Sequence, residues 1–236
     1  MPLSKTRPVI AIDGPAGSGK STVAKLAAKR LGFDYIDTGA MYRALTLKIL
    51  RGGVDVADEA GIGELAARTV IEQEADPDGL NVLTFLDGED VSAAIRLPDV
   101  TASVSAVASH PEVRRLLVEH QRYLAQQADK GDIIEGRDVG TVVFPDAAVK
   151  IYLDASPATR AQRRLGDMQA SGVDVSLEDL ADAITARDRL DSTRAASPLQ
   201  VATDAHVIDT SGMSIAAAVQ AVVDLAKKAG LAGPEV

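Results

Sequence analysis

A short glycine-rich segment near the start of the chain carries the residues best suited to chemistry. Gly14-Pro-Ala-Gly-Ser-Gly-Lys-Ser21 matches G-x-x-x-x-G-K-S, a pattern typical of loops that bind a nucleotide polyphosphate. The glycines let the backbone curl so that amide N–H groups point inward, and the following helix N-terminus adds partial positive charge. In such loops the lysine, here Lys20, reaches the phosphates and the hydroxyl of the serine, here Ser21, ligates Mg²⁺. The predicted binding residues are Gly14, Pro15, Ala16, Gly17, Ser18, Gly19, Lys20, Ser21 and Thr22.

The segments on either side of this loop predict the strand and the helix that must position it. Val9 to Asp13 is a short apolar run that stops at the loop, which favours a buried central strand. Lys20 to Leu31 has apolar residues at helical spacing with Lys and Arg between them, and Gly32 is a typical helix end. The loop therefore has the strand–loop–helix context that its motif requires.

The rest of the chain predicts an α/β fold with a mostly parallel sheet flanked by helices, because strands and helices alternate. Residues 70–96 differ, since short apolar runs separated by Asp-Pro-Asp-Gly79 and Asp87-Gly88 predict a small β insertion. Further strands are predicted at 33–36, 132–135, 149–154 and 206–209, and helices at 39–50, 113–128, 157–168, 177–190 and 215–228.

Composition and charge exclude several classes of protein. The 236 residues are 46% hydrophobic, and 34 acidic against 25 basic residues give a net charge of −9, which argues against a nucleic-acid partner. Cysteine is absent, so disulfides and thiolate–metal sites are excluded and a cytoplasmic location is permitted. No apolar run approaches the roughly 18 residues of a membrane span, and the start of the chain lacks the apolar region of a signal peptide. The three histidines are far apart, so we expect surface or packing roles for them rather than metal binding.

Two absences narrow the class of nucleotide-dependent protein. GTP-dependent switches usually read guanine with an Asn-Lys-x-Asp segment, and the one asparagine here, Asn81, is not followed by Lys. The chain is also too short for the second motor domain of a helicase-like ATPase. A small-molecule kinase remains, and such an enzyme needs a second pocket for an anionic acceptor.

Arginine, which provides 16 of the 25 basic residues, supplies candidates for that pocket. Arg43 and Arg137 each follow a glycine-containing turn after a predicted strand, where α/β folds place ligand-binding residues. Two further groups have the spacing of a helix face: Arg187, Asp191 and Arg194, and Arg160, Arg163 and Arg164. Spacing alone leaves a solvated helix face equally open for these groups.

Several segments together make the sequence similar to the cytidylate kinase family of nucleoside monophosphate kinases, over residues 8–228. The stretch from Gly136 to Asp146 is the most specific of them. The segments are Ile12–Ser21, Asp37-Thr-Gly-Ala-Met-Tyr-Arg43, Leu86-Asp-Gly-Glu-Asp-Val-Ser92, Glu135-Gly-Arg-Asp-Val-Gly-Thr-Val-Val-Phe-Pro-Asp146, Lys150-Ile-Tyr-Leu-Asp-Ala155 and Arg187-Asp-x-x-Asp-x-x-Arg194.

The resemblance implies one P-loop kinase domain over residues 1–236. Its core would comprise about 8–37, 105–155 and 195–229, with a β-containing region for the nucleoside monophosphate (NMP) at about 38–104 and a short lid at about 156–194. It also implies ATP as phosphoryl donor, Mg²⁺, CMP or dCMP as acceptor, and a monomer. The reaction would need no general base, because the attacking phosphate oxygen is already anionic, so catalysis would consist of alignment and charge neutralisation.

The resemblance further implies roles for particular side chains. Arg43, Arg137 and Arg194 would clamp the acceptor phosphate, which suits planar guanidinium groups. Thr38, Arg114 and Asp138 would read the cytosine, and Ser105, Arg187 and Asp191 would hold the sugar. The catalytic set would be Lys20, Arg137, Arg163, Arg164 and Arg194, with Arg160, Arg163 and Arg164 in the lid and Ser21 as the metal ligand.

Two positions depart from the family pattern. Thr38 stands where serine is frequent and keeps the hydroxyl, whereas Glu135 stands where a shorter aspartate often ends the strand near the waters of the Mg²⁺ ion. Two alternative functions remain open from the residues: a kinase for another acceptor such as UMP, and a nucleotide-binding module without phosphotransfer.

Overall fold

The computed structural model of the protein describes residues 7–76, 81–127, 130–170 and 172–231. Within them a 3₁₀ turn spans Ala94–Arg96 and a π-helical turn spans Val139–Val143. The strands are β1 (Val9–Asp13), β2 (Asp34–Asp37), β3 (Ile71–Ala75), β4 (Val82–Leu86), β5 (Glu89–Asp90), β6 (Asp132–Glu135), β7 (Val149–Asp154) and β8 (His206–Asp209). The helices are α1 (Lys20–Leu31), α2 (Thr38–Arg51), α3 (Glu59–Ala67), α4 (Pro98–Val107), α5 (Pro111–Ala125), α6 (Pro157–Ala170), α7 (Leu177–Thr193) and α8 (Ile215–Lys228).

The main sheet has five parallel strands in the order β2-β6-β1-β7-β8. β1 is the central strand of this sheet, and all five of its residues are buried. Successive side chains point to opposite faces of the sheet, and helices cover both faces. Ile10 and Ile12 pack with α1 and α8, whereas Val9 and Ala11 pack with α2, α4 and α5. The predicted α/β fold with a mostly parallel sheet is therefore confirmed.

A separate antiparallel sheet, in the order β3-β4-β5, forms the predicted β insertion. Asp87 and Gly88 both have positive φ, 50° and 85°, and make the two-residue turn from β4 to β5 that an Asp-Gly pair favours. Gln73 of β3 fastens this sheet to the core, since its side chain accepts from the Asp37 amide at 3.1 Å and donates to the Asp37 carbonyl at 2.7 Å. The sequence did not predict β5, and most of the predicted turn before β4 lies outside the described residues.

Helix boundaries differ slightly from the predicted ones, for local reasons. α2 begins at Thr38 because the Asp37 carboxylate caps it, accepting from the Ala40 amide at 2.9 Å. α5 begins at Pro111, which fits a first helical turn because its missing N–H would have no intrahelical partner. α6 and α7 extend a few residues beyond their predicted ends. The sequence also predicts a Ser-Gly turn between these two helices, and its Ser171 lies outside the described residues.

Two helices, α3 and α4, were not predicted from the sequence. α3 contains two glycines and buries only Ile62 fully, so its apolar pattern is weak. α4 is rich in valine, serine and threonine, which have low helix propensity, and it forms because Val100, Val104 and Val107 are buried along one face. Across the described ranges, no helix combines the length and apolar character needed to cross a membrane.

Two of the histidines bind backbone carbonyl groups. His110 Nε2 lies 2.8 Å from the Val56 oxygen, and His120 Nε2 lies 2.6 Å from the Ile71 oxygen. Both contacts fit the packing roles predicted for these residues.

Candidate active site

The loop between β1 and α1 lies at the carboxyl end of the central strand. Gly14 has φ +147°, and a Cβ atom there would lie 2.0 Å from the Leu153 carbonyl oxygen, so only glycine fits against β7. Gly17 and Gly19 also have positive φ, 77° and 89°. Because no side chain of the described residues caps the start of α1, the amides of its first turn are left for a ligand.

Arginines of α6 hold the outside of this loop through its carbonyl groups. Arg160 Nη1 donates to the Ala16 oxygen at 3.1 Å, and Arg163 Nη1 donates to the Ser18 oxygen at 3.2 Å. Arg163 also donates to the Thr210 carbonyl at 2.7 Å, and Arg160 forms a 2.5 Å ion pair with Asp188 of α7. With its carbonyls bound from outside, the loop is supported in a shape that can turn its amide groups inward.

Lys20 folds back over the loop and is almost fully buried. Its Nζ donates to the Pro15 carbonyl at 2.7 Å. Burial, followed by the charge of Arg137, lowers the pKa of Lys20 to about 7, although the carboxylates of Glu135 and Asp13 act in the opposite direction. An anionic ligand placed against Lys20 would restore its usual pKa.

The side chains of Ser21 and Tyr35 meet at one oxygen of Glu135, the last residue of β6. Glu135 Oε1 accepts from Ser21 Oγ at 2.6 Å and from the Tyr35 hydroxyl at 2.7 Å. Glu135 Oε2 is buried and has no hydrogen-bond partner in the described part of the chain. This arrangement leaves the serine lone pairs and one carboxylate oxygen available to a hydrated cation.

The carboxylate of Asp13, at the end of β1, accepts two backbone amides from the segment after β6. Val139 N donates to Oδ1 at 2.8 Å and Gly140 N donates to Oδ2 at 2.7 Å. Burial is the main cause that raises the pKa of Asp13 to about 6, and the two amide bonds partly oppose it. Asp13 therefore ties the residue before the glycine-rich loop to the residues that follow Asp138.

Asp138 and Arg114 form a buried pair beside that segment. Arg114 Nη2 donates to Asp138 Oδ2, and Arg194 Nη2 lies 3.7 Å from Oδ1. Arg114 is further held by the Ala108 carbonyl at 3.1 Å and lies over the Tyr42 ring, 5.3 Å from its centroid. One carboxylate oxygen of Asp138 is thus fixed by Arg114, and among the described residues the other has a distant ionic contact with Arg194.

A cluster of four arginines lies next to this pair: Arg43 on α2, Arg137 after β6, Arg164 on α6 and Arg187 on α7. Burial, followed by the charge of Arg187, lowers the pKa of Arg43, and burial followed by the charge of Arg137 lowers that of Arg187. Arg164 acts on both in the same direction. Arg187 Nε is buried and without a hydrogen-bond partner among the described residues. These incompletely neutralised cations form a site that suits an anion.

Asp191 of α7 provides the main counter-charge of this region. Arg137 Nε donates to Asp191 Oδ2 at 3.1 Å, and Arg194 Nη1 lies 3.9 Å from Oδ1. Arg194 itself lies just beyond the end of α7 and has extended backbone, so it does not continue the helix face with Arg187 and Asp191. Its Nε donates to the Ser197 carbonyl at 2.6 Å instead.

The remaining predicted residues lie at the edges of the site. Thr38 is buried, and its hydroxyl donates to the Glu135 carbonyl at 2.7 Å. Arg43 Nη1 is held by the Ile95 carbonyl at 3.0 Å and by Thr101 Oγ1 at 2.8 Å. Ser105 is half-buried on α4, which packs against α7, and Thr22 is exposed in the first turn of α1.

Sequence reasoning did not identify Asp13 and Tyr35 as site residues. Asp13 had one usable signal, its position between a buried strand and the glycine-rich loop. Tyr35 had none, because its partner Glu135 is 100 positions away.

Comparison with known proteins settles the family. A family model described as cytidylate kinase matches residues 10–228. The chain belongs to the cytidylate kinase family. It is 54% identical over 216 residues to a cytidylate kinase of Pelotomaculum thermopropionicum, covering 92% of this chain and 94% of that protein. It is 49% identical over 219 residues to a cytidylate kinase of Lysinibacillus sphaericus, covering 93% and 96%.

One solved structure shares the fold of this protein at low sequence identity. An uncharacterized protein from Eubacterium ventriosum aligns with a TM-score of 0.53 at 14% identity, covering 94% of this chain and 99% of that chain.

The lowered pKa of Lys20 predicts that nucleotide binding to this cytidylate kinase family member takes up a proton. Lys20 is largely neutral at pH 8 in the free protein, and phosphates beside it would raise its pKa and charge it. Calorimetric titration with ADP at pH 8, in two buffers of different ionisation enthalpy, should give an uptake approaching one proton. Lys20→Arg, which is charged throughout, should bind without this uptake, and Lys29→Met should retain it. Equal heats in both buffers for the wild type would contradict the assignment.

The amide bonds of Asp13 predict a pH-dependent effect of Asp13→Asn. An asparagine offers one acceptor oxygen where the carboxylate offers two, so one buried amide loses its partner at a cost of about 1–3 kcal/mol. The segment that carries Asp138 can relieve this cost by shifting away from Asp13, and the free energy needed to restore its position for CMP should lower kcat/KM of the variant about tenfold relative to the wild type at pH 8. Because wild-type Asp13 protonates around pH 6, the ratio should shrink below that pH, and the titration of CMP itself cancels in the ratio.

Asp34→Asn, which neutralises an exposed carboxylate of β2, is the matched control and should leave kcat/KM unchanged. A wild-type to Asp13→Asn ratio that stays constant from pH 5 to pH 8 would remove Asp13 from this role.

Proposed function

We propose that this protein transfers the γ-phosphoryl group of ATP to CMP, giving ADP and CDP, and that dCMP is a second acceptor. The observation that carries the proposal is the buried ion pair of Arg114 and Asp138. Membership of the cytidylate kinase family supports the same activity.

The pair has the donors and acceptors that a cytosine needs. Asp138 Oδ1, which Arg114 leaves open, can accept from the exocyclic N4 amine, and the guanidinium of Arg114 can donate to O2 and N3. Thr38 completes the base site. A uracil would place a carbonyl oxygen against the carboxylate of Asp138, so UMP should be disfavoured.

The arginine cluster would receive the acceptor phosphate. Arg43, Arg137 and Arg194 clamp its oxygens, and the burial of these cations without full neutralisation favours an anion between them. Asp191, Arg187 and Ser105 hold the sugar, and the Asp191 carboxylate is already oriented by Arg137 and Arg194.

The loop from Gly14 to Thr22 would receive the phosphates of ATP on its amide groups and on Lys20. The Ser21 hydroxyl and the free oxygen of Glu135 suit Mg²⁺, because both are oxygen donors and Glu135 Oε2 has no partner in the described residues. When bound, the metal ion would neutralise part of the charge on the phosphates of ATP.

The residues of the protein act by alignment. A phosphate oxygen of CMP forms the new P–O bond as the bond between the γ-phosphorus and the β–γ bridging oxygen breaks, and ADP leaves. Five cationic side chains stabilise the charge on the transferred group: Lys20, Arg137, Arg163, Arg164 and Arg194. Residues 156–194, which contain α6 and α7, act as a lid that excludes water.

We further propose that the protein acts as a monomer in the cytoplasm without a nucleic-acid partner. Its net charge of −9 opposes general binding to nucleic acid.

A panel of nucleoside monophosphates tests the proposed activity. With Mg·ATP and CMP, dCMP, UMP, AMP or GMP, formation of ADP should be fastest with CMP and dCMP. The diphosphate product, CDP or dCDP, should appear in equal amount to ADP. A faster reaction with UMP would overturn the base assignment, and ATP binding without CDP formation would favour a binding module.

Asp138→Ala tests how the base is read. Without the carboxylate, the preference for CMP over UMP in kcat/KM should fall about 10- to 100-fold, the size expected for a hydrogen bond to a charged group. The affinity for ATP should change much less. Asp146→Ala, which removes an exposed carboxylate from the same segment, should leave the preference intact. Equal losses toward CMP and UMP would exclude this role for Asp138.

A further inference from the structure

Tyr35 of β2 contacts the candidate metal site, which consists of Ser21 and Glu135. The glycine-rich motif does not account for this contact. Its hydroxyl donates to Glu135 Oε1 at 2.7 Å, and the same oxygen accepts from Ser21 Oγ at 2.6 Å. The second oxygen, Oε2, is buried and unpartnered within the described ranges. One oxygen of Glu135 therefore accepts two hydrogen bonds, and the other accepts none from the described part of the chain.

The sheet explains how a tyrosine reaches this position. β2 and β6 pair in parallel, with Tyr35 opposite Ile133 and Asp37 opposite Glu135. Because side chains alternate along a strand, Ile133 and Glu135 lie on the same face, and Ile133 packs in the cluster that includes α1. Tyr35 packs against that cluster and extends diagonally toward Glu135, a reach that suits a long aromatic side chain.

The ring of Tyr35 has a separate packing role that its hydroxyl does not share. The ring lies beneath Lys25 of α1, whose Nζ is 5.8 Å from the ring centroid. The hydroxyl extends beyond this contact to Glu135. A change that removes the hydroxyl and keeps the ring can therefore separate packing from positioning.

The direction of the hydrogen bonds determines what Tyr35 can do. Since Ser21 donates its proton to Glu135, the lone pairs of the serine oxygen remain free for a cation. A glutamate side chain has three rotatable bonds, and the hydrogen bond from Tyr35 adds a restraint on its orientation. Without that bond, the carboxylate can rotate and Ser21 loses its fixed acceptor.

We propose that Tyr35 is a positioning residue that orients Glu135, and through it the hydroxyl of Ser21, for the divalent cation that accompanies the nucleotide. This inference rests on the proposed function as far as it assumes a metal–nucleotide complex on the glycine-rich loop. It does not depend on which acceptor is phosphorylated.

Binding of Mn²⁺ in the presence of ADP, measured by electron paramagnetic resonance, tests the inference without turnover. Tyr35→Phe should weaken Mn²⁺ binding about fivefold, less than the full value of a hydrogen bond to a carboxylate, because Tyr35 acts on the cation only through Glu135. ADP binding measured in EDTA should stay unchanged. Tyr123→Phe, which removes an exposed hydroxyl, is the matched control and should match the wild type in both measurements.

Adding Tyr35→Phe to a Glu135→Asp variant separates the positioning role of the Tyr35 hydroxyl from the packing role of its ring. In Glu135→Asp the shorter carboxylate no longer reaches the hydroxyl of Tyr35, so adding Tyr35→Phe should change Mn²⁺ binding less than twofold. Unchanged Mn²⁺ affinity in Tyr35→Phe, an equal loss of ADP affinity in EDTA, or a full fivefold loss in the Glu135→Asp background would each overturn the inference. Failure of CMP phosphorylation would leave these measurements valid, so the two proposals fail separately.

Discussion

The two amide hydrogen bonds accepted by the Asp13 carboxylate are the interaction on which the rest of the site depends. Asp13 ends the central strand and precedes Gly14, and the amides of Val139 and Gly140 follow Asp138 directly. The phosphate-binding loop and the segment with Asp138 are thereby held in one geometry. Burial of the carboxylate is costly, as the raised pKa of Asp13 shows, and each amide bond offsets it by about 1.5–3 kcal/mol.

The site concentrates positive charge in a protein that is acidic as a whole. The net charge is −9, yet burial and neighbouring arginines lower the pKa of Arg43 and of Arg187, with Arg164 acting on both and Arg137 on Arg187. Asp191 neutralises this cluster only in part. The buried guanidinium groups repel one another, and an anion bound between them would relieve this repulsion. The same arginines would therefore supply both the binding free energy and the electrostatic preorganisation.

The arginines of α6 contribute to the site in two ways. Arg160 and Arg163 bind carbonyl groups of Ala16 and Ser18 on the outside of the glycine-rich loop, whereas Arg164 belongs to the arginine cluster, where its charge acts on Arg43 and Arg187. Movement of α6 as a lid would therefore be coupled to the shape of the loop itself. This coupling follows from hydrogen bonds between residues about 145 positions apart.

The sequence alone determined the parts of this protein that depend on local interactions. The strand, loop and helix from Val9 to Leu31 follow from short-range periodicity and glycine conformations, and so does the turn at Asp87-Gly88. Helices α3 and α4 were not predicted because their helix propensities are weak and tertiary packing stabilises them.

Arg160, Arg163 and Arg164 look equivalent by spacing, and only the packing of α6 against the loop distinguishes them. The contacts of Asp13 with Val139 and of Tyr35 with Glu135 span 126 and 100 positions. Only the tertiary structure could decide them, because the parallel pairing of β6 with both β1 and β2 brings these donors and acceptors within hydrogen-bonding distance.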